Sequence, residues 1–413
     1  MPEEYTDKER KLIAEKEYDE SLTSGKDIYI DGHTEAIGTV REVVENETGL
    51  KAYVIENADG SGLSVLYQGS VAPPKAGSKV DWLENDLPMA KNILSGRKEV
   101  TPQLESAAAT LNEILKNYPD MPVTVYGHSL GSMDAQYALA NVSDIERIAG
   151  AYIYQGPNIY RTLTEEQQAT VDAMKYRIHN YVDQKDSIAF GYIKNAPGYK
   201  AELTSQNAVG IIYHVDSKAR IDIIEQHMWG GYQWNADGSL KIVADTSVFE
   251  ARYSKAFDRA ATGFYRYNKL KTQLSATGGG LSKHEEIFLD SELAAALSAA
   301  LSEAAKQGEE AISSKAQEAA EEAETLYQSL SDVPFGFILS PDEVLQAYND
   351  AGLTYSSIVT DVKEHFDTKT DAAKGLSDDF DELSSQIKTG IEQKLAEDQQ
   401  LAGEFNQWMQ EIN

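Results

Sequence analysis

The sequence predicts an α/β fold for residues 1–274, a mostly parallel sheet covered on both faces by helices, and an all-α helical hairpin or bundle for residues 281–413. Three observations carry that reading. The stretch Val123-Thr-Val-Tyr-Gly-His-Ser-Leu-Gly131 joins a run of strand formers to a Gly-x-Ser-x-Gly turn, and a helical pattern follows from Ser132 to Asn141. Two more apolar runs, Ile148 to Tyr154 and Tyr176 to Val182, alternate with helical stretches, as parallel strands joined by crossover helices do. The pattern changes after about residue 245, and residues 281–413 are rich in Ala, Glu, Ser and Gln, with apolar residues at helical spacing.

The elements follow in order. Within an N-terminal lead-in, residues 1–49, Leu12, Ile13, Tyr18 and Leu22 suit a polar helix over 4–24 that stops at Ser24-Gly25. After the short unit Ile28 to His33, strand-like runs Leu50 to Ile55 and Leu63 to Tyr67 flank Asn57-Ala-Asp-Gly-Ser-Gly62, a turn composition that predicts a hairpin or adjacent strand pair. Leu104, Ala107, Ala108, Leu111, Ile114 and Leu115 recur at helical spacing and predict a helix over 105–118 that feeds the Val123 strand. Segment Phe249 to Lys271 is helical, basic and aromatic; it reads as the last helix packed on the first domain, with membrane contact as the other reading. Ser275-Ala-Thr-Gly-Gly-Gly280 reads as a linker. In 281–413, Leu289, Leu293, Leu297 and Leu301, then Leu376, Phe380, Leu383, Ile387, Ile391 and Leu395, keep steps of three or four, with breaks at Val333-Pro-Phe-Gly336 and Ala351-Gly352. That stripe is narrow enough to want a partner helix.

Composition sets outer bounds. With 67 acidic against 37 basic residues in 413, the net charge of −30 argues against nucleic acid, whose phosphates need a basic face. It also repels anionic membranes at long range. The absence of cysteine excludes disulfides, thiolate metal sites and a cysteine nucleophile. The N-terminus lacks the basic start and apolar core of a secretory signal, and no run of about 18 apolar residues offers a transmembrane segment. A protein exported without a cleaved leader, or a cytoplasmic one, is expected.

Ser129 is the candidate nucleophile. At a strand-to-helix elbow the serine sits in a strained conformation, and Gly127 and Gly131 remove Cβ atoms that would collide there. A hydroxyl is a weak nucleophile and needs a base, itself oriented by a carboxylate. In such folds the chain order is Ser, then Asp or Glu, then His. Of the seven histidines, His214 alternates with apolar residues in a strand, whereas His227 precedes Met-Trp-Gly-Gly-Tyr232 in a glycine-containing loop and is favoured as base. For the acid, Asp183 and Asp186 both follow the strand that ends at Val182; Asp186, deeper in the loop, is preferred, and Asp216 is a third choice. The backbone N–H of Leu130 should be one oxyanion donor, and the second should come from Gln68-Gly69-Ser70 after an earlier strand. No metal or nucleotide cofactor is required.

These motifs, in this order, resemble the class 3 lipase family of α/β-hydrolases. Leu66-Tyr-Gln-Gly-Ser70 is similar to that family's strand ending in Arg-Gly-Thr, with Gln68 and Ser70 in place of Arg and Thr. Asp81-Trp82 with Asn85-Asp86 resembles its Trp-x-x-Asn element, and Val125 to Gly131 its elbow. Tyr154-Gln-Gly-Pro157 resembles Phe-Gly-x-Pro, Asn180 to Ile188 the Asn-x-x-Asp-x-Val region, and His227 with Tyr232 the terminal His-x-x-x-Tyr. The resemblance covers roughly residues 50–235 and implies a lipid-ester hydrolase with Ser129, Asp186 and His227 as triad and Ser70 with Leu130 as oxyanion residues. The departure at Gln68 removes the ion pair usually made by the family's Arg.

The layout as a whole is similar to leaderless lipase toxins exported by type VII secretion, which carry an LXG-like helical targeting domain. That resemblance implies a phospholipid substrate, small helical secretion partners on residues 281–413 and an immunity protein. Two readings compete with a secreted lipase or phospholipase A. One is an esterase or acyltransferase on a small soluble ester. The other is a partner-binding module with a silent hydrolase fold.

Overall fold

The computed structural model describes residues 5–70, 89, 92–93, 97–192, 207–243, 250–276, 281–330 and 340–412. The expected Trp82, Asn85 and Asp86 element, the glycines at 278–280 and the break at Val333 to Gly336 lie outside these residues. The chain divides into two compact units, Met1–Ala251 and Arg252–Asn413.

Among the described residues the first unit is built on one eight-stranded sheet whose spatial order follows the chain: β1 (Asp27–Ile28), β2 (Gly38–Glu45), β3 (Lys51–Asn57), β4 (Leu63–Tyr67), β5 (Val123–His128), β6 (Ile148–Tyr154), β7 (Ile178–Val182) and β8 (Ile211–His214). Strands β1 to β4 pair antiparallel and β4 to β8 parallel, so the sheet is mixed with a parallel core. The β3–β4 pair is the hairpin foreseen around Asn57 to Gly62. Strand β2 carries no clean alternation because its register shifts between Val40 and Glu42, a bulge at Arg41 that moves later side chains to the other face.

Alternation along the strands sorts side chains onto two layers. On one face, Tyr67 donates to the Ala107 carbonyl at 2.9 Å, from helix α2 (Pro102–Asn117), and helix α3 (Leu130–Ala140) lies beside it, buried along almost its whole length. The apolar positions expected to form the inner stripe of α2, Leu104 through Leu115, are buried. On the other face lies an aromatic ladder. Tyr126, Tyr152, His179 and Tyr213 stack in succession, and Tyr154 stacks on Tyr181. Helix α1 (Asp7–Glu15), set by a Thr6/Glu9 capping box, covers this ladder with Ile13 and Ala14. Arg10 donates to the Tyr126 hydroxyl at 2.6 Å and stacks 4.3 Å above the Tyr152 ring, while Asp7 accepts from the Tyr181 hydroxyl at 2.7 Å. These bonds satisfy the polar ends of tyrosines that the sheet buries. A strand-to-helix serine turn at the centre of such a sheet makes this an α/β-hydrolase fold.

The second unit is helical: its α-helices among the described residues are α5 (Ser254–Ser275), α6 (Lys283–Ser329), α7 (Pro341–Asp350) and α8 (Asp361–Ile412), with a π-helical turn, Ser356–Thr360, leading into α8, while α4 (Glu165–Ala173) belongs to the first unit. Helix α5 was expected to close the first domain at residue 274; it packs instead on α6. Gly263 meets Ala296 so closely that a Cβ would overlap the alanine methyl, Arg259 pairs with Glu303 at 2.9 Å, and Gln307 accepts from the Ala256 N–H at 3.1 Å. The division between the units falls before α5, where small residues let α5 and α6 approach closely. Part of the foreseen stripe faces water: Leu289 is buried, whereas Leu301, Leu376 and Leu383 are exposed. No described helix is long and apolar enough to cross a membrane.

Candidate active site

Strand β5 ends in a backbone that only a tight turn can continue. Ser129 has φ 57° and ψ −122°, and α3 starts at the next residue. A Cβ on Gly127 would overlap the Gly131 carbonyl, and one on Gly131 would overlap the carbonyl of Tyr67 in β4. Both positions must be glycine for the elbow to close against its neighbouring strand. Serine at a helix N-cap ordinarily accepts a hydrogen bond from the first turn; here the Ser129 side chain makes none, and the Ser129 carbonyl takes the N–H of Ser132 and Met133. The hydroxyl is thus left for other work.

Three non-glycine residues among those described have positive φ: Ser129, Gln155 and Trp229. All three lie beyond the carboxyl ends of parallel strands, where strain collects at working sites. Gln155 follows β6 and its Oε1 accepts from the Asp183 N–H at 2.8 Å. That bond fixes the start of the loop after β7, in which Asp186 closes a turn by donating its N–H to the Asp183 carbonyl at 3.0 Å.

The two candidate acids are thereby given different work. Asp183 accepts at Oδ1 from the Lys185 N–H at 2.9 Å and the Ser217 hydroxyl at 2.7 Å, and at Oδ2 from the Gln226 amide. It staples the β7 and β8 loops together. Asp186 accepts the Ile188 N–H at Oδ1, 2.9 Å, and its Oδ2 lies 2.7 Å from Nδ1 of His227. A carboxylate on Nδ1 holds the imidazole in the tautomer that presents Nε2 as a base. Asp186, His227 and Ser129 are 4, 7 and 8 % exposed, so the pair and the serine lie in a largely water-excluded setting. Asp216 is exposed and lies apart from this pair, and His214 is the last residue of β8.

Four residues around the site have no role assigned by the sequence reading: Glu17, Tyr18, Trp229 and, inside the elbow motif itself, His128. His128 Nε2 lies 2.9 Å from the His227 carbonyl oxygen, and the Tyr18 hydroxyl lies 2.6 Å from His128 Nδ1. A carbonyl only accepts, so Nε2 carries the proton and Nδ1 accepts from Tyr18. Burial drives the His128 imidazole well below its ordinary range, and the adjacent His227 adds to the effect. The Trp229 ring closes over His128 at 4.0 Å between centroids. Beneath the elbow, buried Glu17 accepts at one oxygen from the backbone N–H of Gly69 at 3.1 Å and of His128 at 3.2 Å, and Gln68 donates to the Glu17 carbonyl at 2.7 Å. Burial pushes the Glu17 carboxyl well above the carboxylate range. Gln68 therefore makes a neutral bond to Glu17 where the resemblance leads one to look for an arginine's ion pair. The oxyanion candidates occupy the two segments that Glu17 ties together: half-buried Ser70 follows Gly69, and Leu130 follows Ser129. A cavity of about 630 Å³ lined by Arg10, His33, Asn57, Thr124 and Tyr152 opens at the opposite, amino end of the strands and holds none of these groups.

Residues 77–239 match the family model described as Mbeg1-like. Curated proteins yield no match. Among solved structures, the chain is similar to the native propeptide complex of Rhizomucor miehei lipase, at 15 % identity over 51 % of this chain and 70 % of that one, with a TM-score of 0.30. It is also similar to a triacylglycerol lipase from Penicillium expansum (13 %, 51 % and 79 %, TM-score 0.31) and to Lip2 lipase from Yarrowia lipolytica (11 %, 44 % and 71 %, TM-score 0.26). Values this low say nothing of substrate; the fold stands on the chain's own strand order and elbow.

Glu17→Ala should destabilise the first unit by about 2–6 kcal/mol, since two buried N–H groups lose their acceptor at roughly 1–3 kcal/mol each, whereas Glu17→Gln keeps an acceptor and should cost far less. Urea unfolding followed by tryptophan fluorescence checks this, and equal losses in the two variants would count against the bonds. His128 supplies a pH test. It is neutral when folded and protonates near pH 6.5 when unfolded, so its contribution is complete above that pH and falls away as pH drops, by up to about 1.4 kcal/mol per unit. The slope of unfolding free energy between pH 7.5 and 5.5 should be smaller in His128→Gln; identical slopes would contradict the assignment.

Proposed function

We propose that this chain hydrolyses carboxylic esters of lipids, as a lipase or phospholipase A, through an acyl-enzyme on Ser129. One observation carries the chemistry: a serine in left-handed backbone at a strand-to-helix elbow, at the same end of the sheet as an Asp186–His227 hydrogen-bonded pair. In this reading His227 Nε2 takes the Ser129 proton as Oγ attacks the ester carbonyl, and Asp186 stabilises the imidazolium that forms. The Leu130 N–H and Ser70 receive the oxyanion, and the start of α3 adds its dipole. The alkoxide leaves with the proton from His227, and water then releases the acid by the same steps in reverse order. The lipid part of the reading rests on the ordered motifs along residues 50–235.

The second unit extends the proposal to location. We infer that the protein is exported by a type VII-like route, small helical partners covering the second unit. Leu376, Leu383 and Leu401 support this, as leucines that α8 exposes at 55, 45 and 64 %.

Ser129→Ala should abolish fatty-acid release from phospholipid and glyceride dispersions, and Asp186→Asn should lower kcat by about 10⁴-fold by allowing the wrong imidazole tautomer. Fatty-acid release measured at pH 8 decides this; wild-type rates in Ser129→Ala would end the acyl-enzyme reading. For location, inactivating the host's type VII machinery should retain the protein in cells, and undiminished appearance in the medium would refute the route.

A further inference from the structure

The loop that carries His227 also carries, among the described residues, the most exposed aliphatic side chains of the first unit. Its base is closed by the Lys218 N–H donating to the Gly231 carbonyl at 2.7 Å, and it is fixed to the acid loop by Lys185, whose ammonium donates to the Ser217 carbonyl at 2.6 Å. Gln226, His227 and Trp229 turn inward and are buried. The tip does the reverse: Ile221, Ile223 and Ile224 are 105, 63 and 64 % exposed.

This exposure is built in. Asp222 caps the tip, accepting from the Ile224 N–H at 2.8 Å; the Arg220 N–H donates to the Gln226 amide oxygen at 2.6 Å, and its Nε to the Gly230 carbonyl at 2.6 Å. The isoleucines could turn inward only by breaking those bonds and displacing Gln226 from Asp183. Three large aliphatic side chains held in water, on the loop that sets the candidate base, have a cost that only a covering apolar partner recovers.

We propose that the tip formed by Ile221, Ile223 and Ile224 inserts into an electrically neutral lipid surface and seats the mouth of the Ser129 site on it. The inference rests on the lipid-ester reading above and adds where, and onto what kind of surface, the enzyme docks. Charge selects the surface. Around the tip Lys218 and Arg220 stand against Asp216, Asp222 and Glu225, two cations against three anions, and Arg220 is 3.6 Å from Glu225. With the whole chain at −30, an anionic bilayer is repelled, whereas zwitterionic or uncharged lipid is not. Position selects lipid over a protein partner: the patch and His227 share one hydrogen-bonded loop, so whatever covers the tip lies at the entrance through which an ester must come.

The test uses the full chain carrying Ser129→Ala, so that binding is read without turnover. Flotation with phosphatidylcholine vesicles should show association, stronger than with phosphatidylglycerol vesicles. Replacing all three isoleucines by serine should lower the partition coefficient by about a hundredfold, from the apolar area lost, while replacement by leucine should preserve it. An unchanged thermal midpoint of the serine variant shows that the fold is intact. With Ser129 present, the serine variant should hydrolyse soluble p-nitrophenyl butyrate at the wild-type rate and lose activity on dispersed lipid. Equal flotation of the serine variant and its parent, or preference for phosphatidylglycerol, would overturn the proposal. If wild type is inactive on both esters the catalytic reading fails, and the flotation result still decides the docking surface.

Discussion

The left-handed backbone of Ser129 is the constraint on which the rest of the first unit depends. A non-glycine residue in that region is strained by roughly 1–3 kcal/mol, and it persists only where neighbours leave no alternative. Here the Ser129 N–H is fixed to the Tyr154 carbonyl at 3.0 Å and its carbonyl is committed to the first turn of α3. Gly127 and Gly131 allow the turn to close against β4, which brings the Gln68 to Ser70 segment beside the elbow. One strained residue thus fixes the spacing of three elements, and a hydroxyl that the helix does not use stands at their junction.

The N-terminal segment completes that junction from below. Glu17 holds the amides of Gly69 and His128 on a single carboxyl oxygen, so the two segments that would supply oxyanion donors share one acceptor. Tyr18 fixes the tautomer of His128, and His128 in turn holds the backbone of His227. Further along the same face, Arg10 and Asp7 engage the tyrosine ladder, which ties the segment to the centre of the sheet. Residues before the first strand therefore act as framework for groups that lie far along the chain.

Two aspartates three positions apart show how the same residue type takes different work from its surroundings. Asp183 is consumed by three donors and locks the loops after β7 and β8; Asp186 keeps one oxygen for His227. Hydrogen bonds that tie the two loops together hold Asp186 against His227, and those within the His227 loop leave its isoleucines in water.

What could be read from the chain alone is what neighbours in sequence enforce. The elbow, the strands from β3 to β8 except β8's precise extent, and the inner stripe of α2 follow from glycine spacing and from periods of two and 3.6 residues. Strand β2 escaped because a bulge breaks its period, and the boundary before α5 escaped because amphipathic spacing does not say which partner a helix will choose. Sequence order also left Asp183 and Asp186 as alternatives, since both follow the same strand. The structure sets Asp186, the preferred acid, against His227, 41 residues on, and it alone placed Glu17 beneath His128, 111 residues on. Such pairings leave no local signature, because a buried carboxyl is chosen by the donors that folding brings to it and not by its neighbours in the chain.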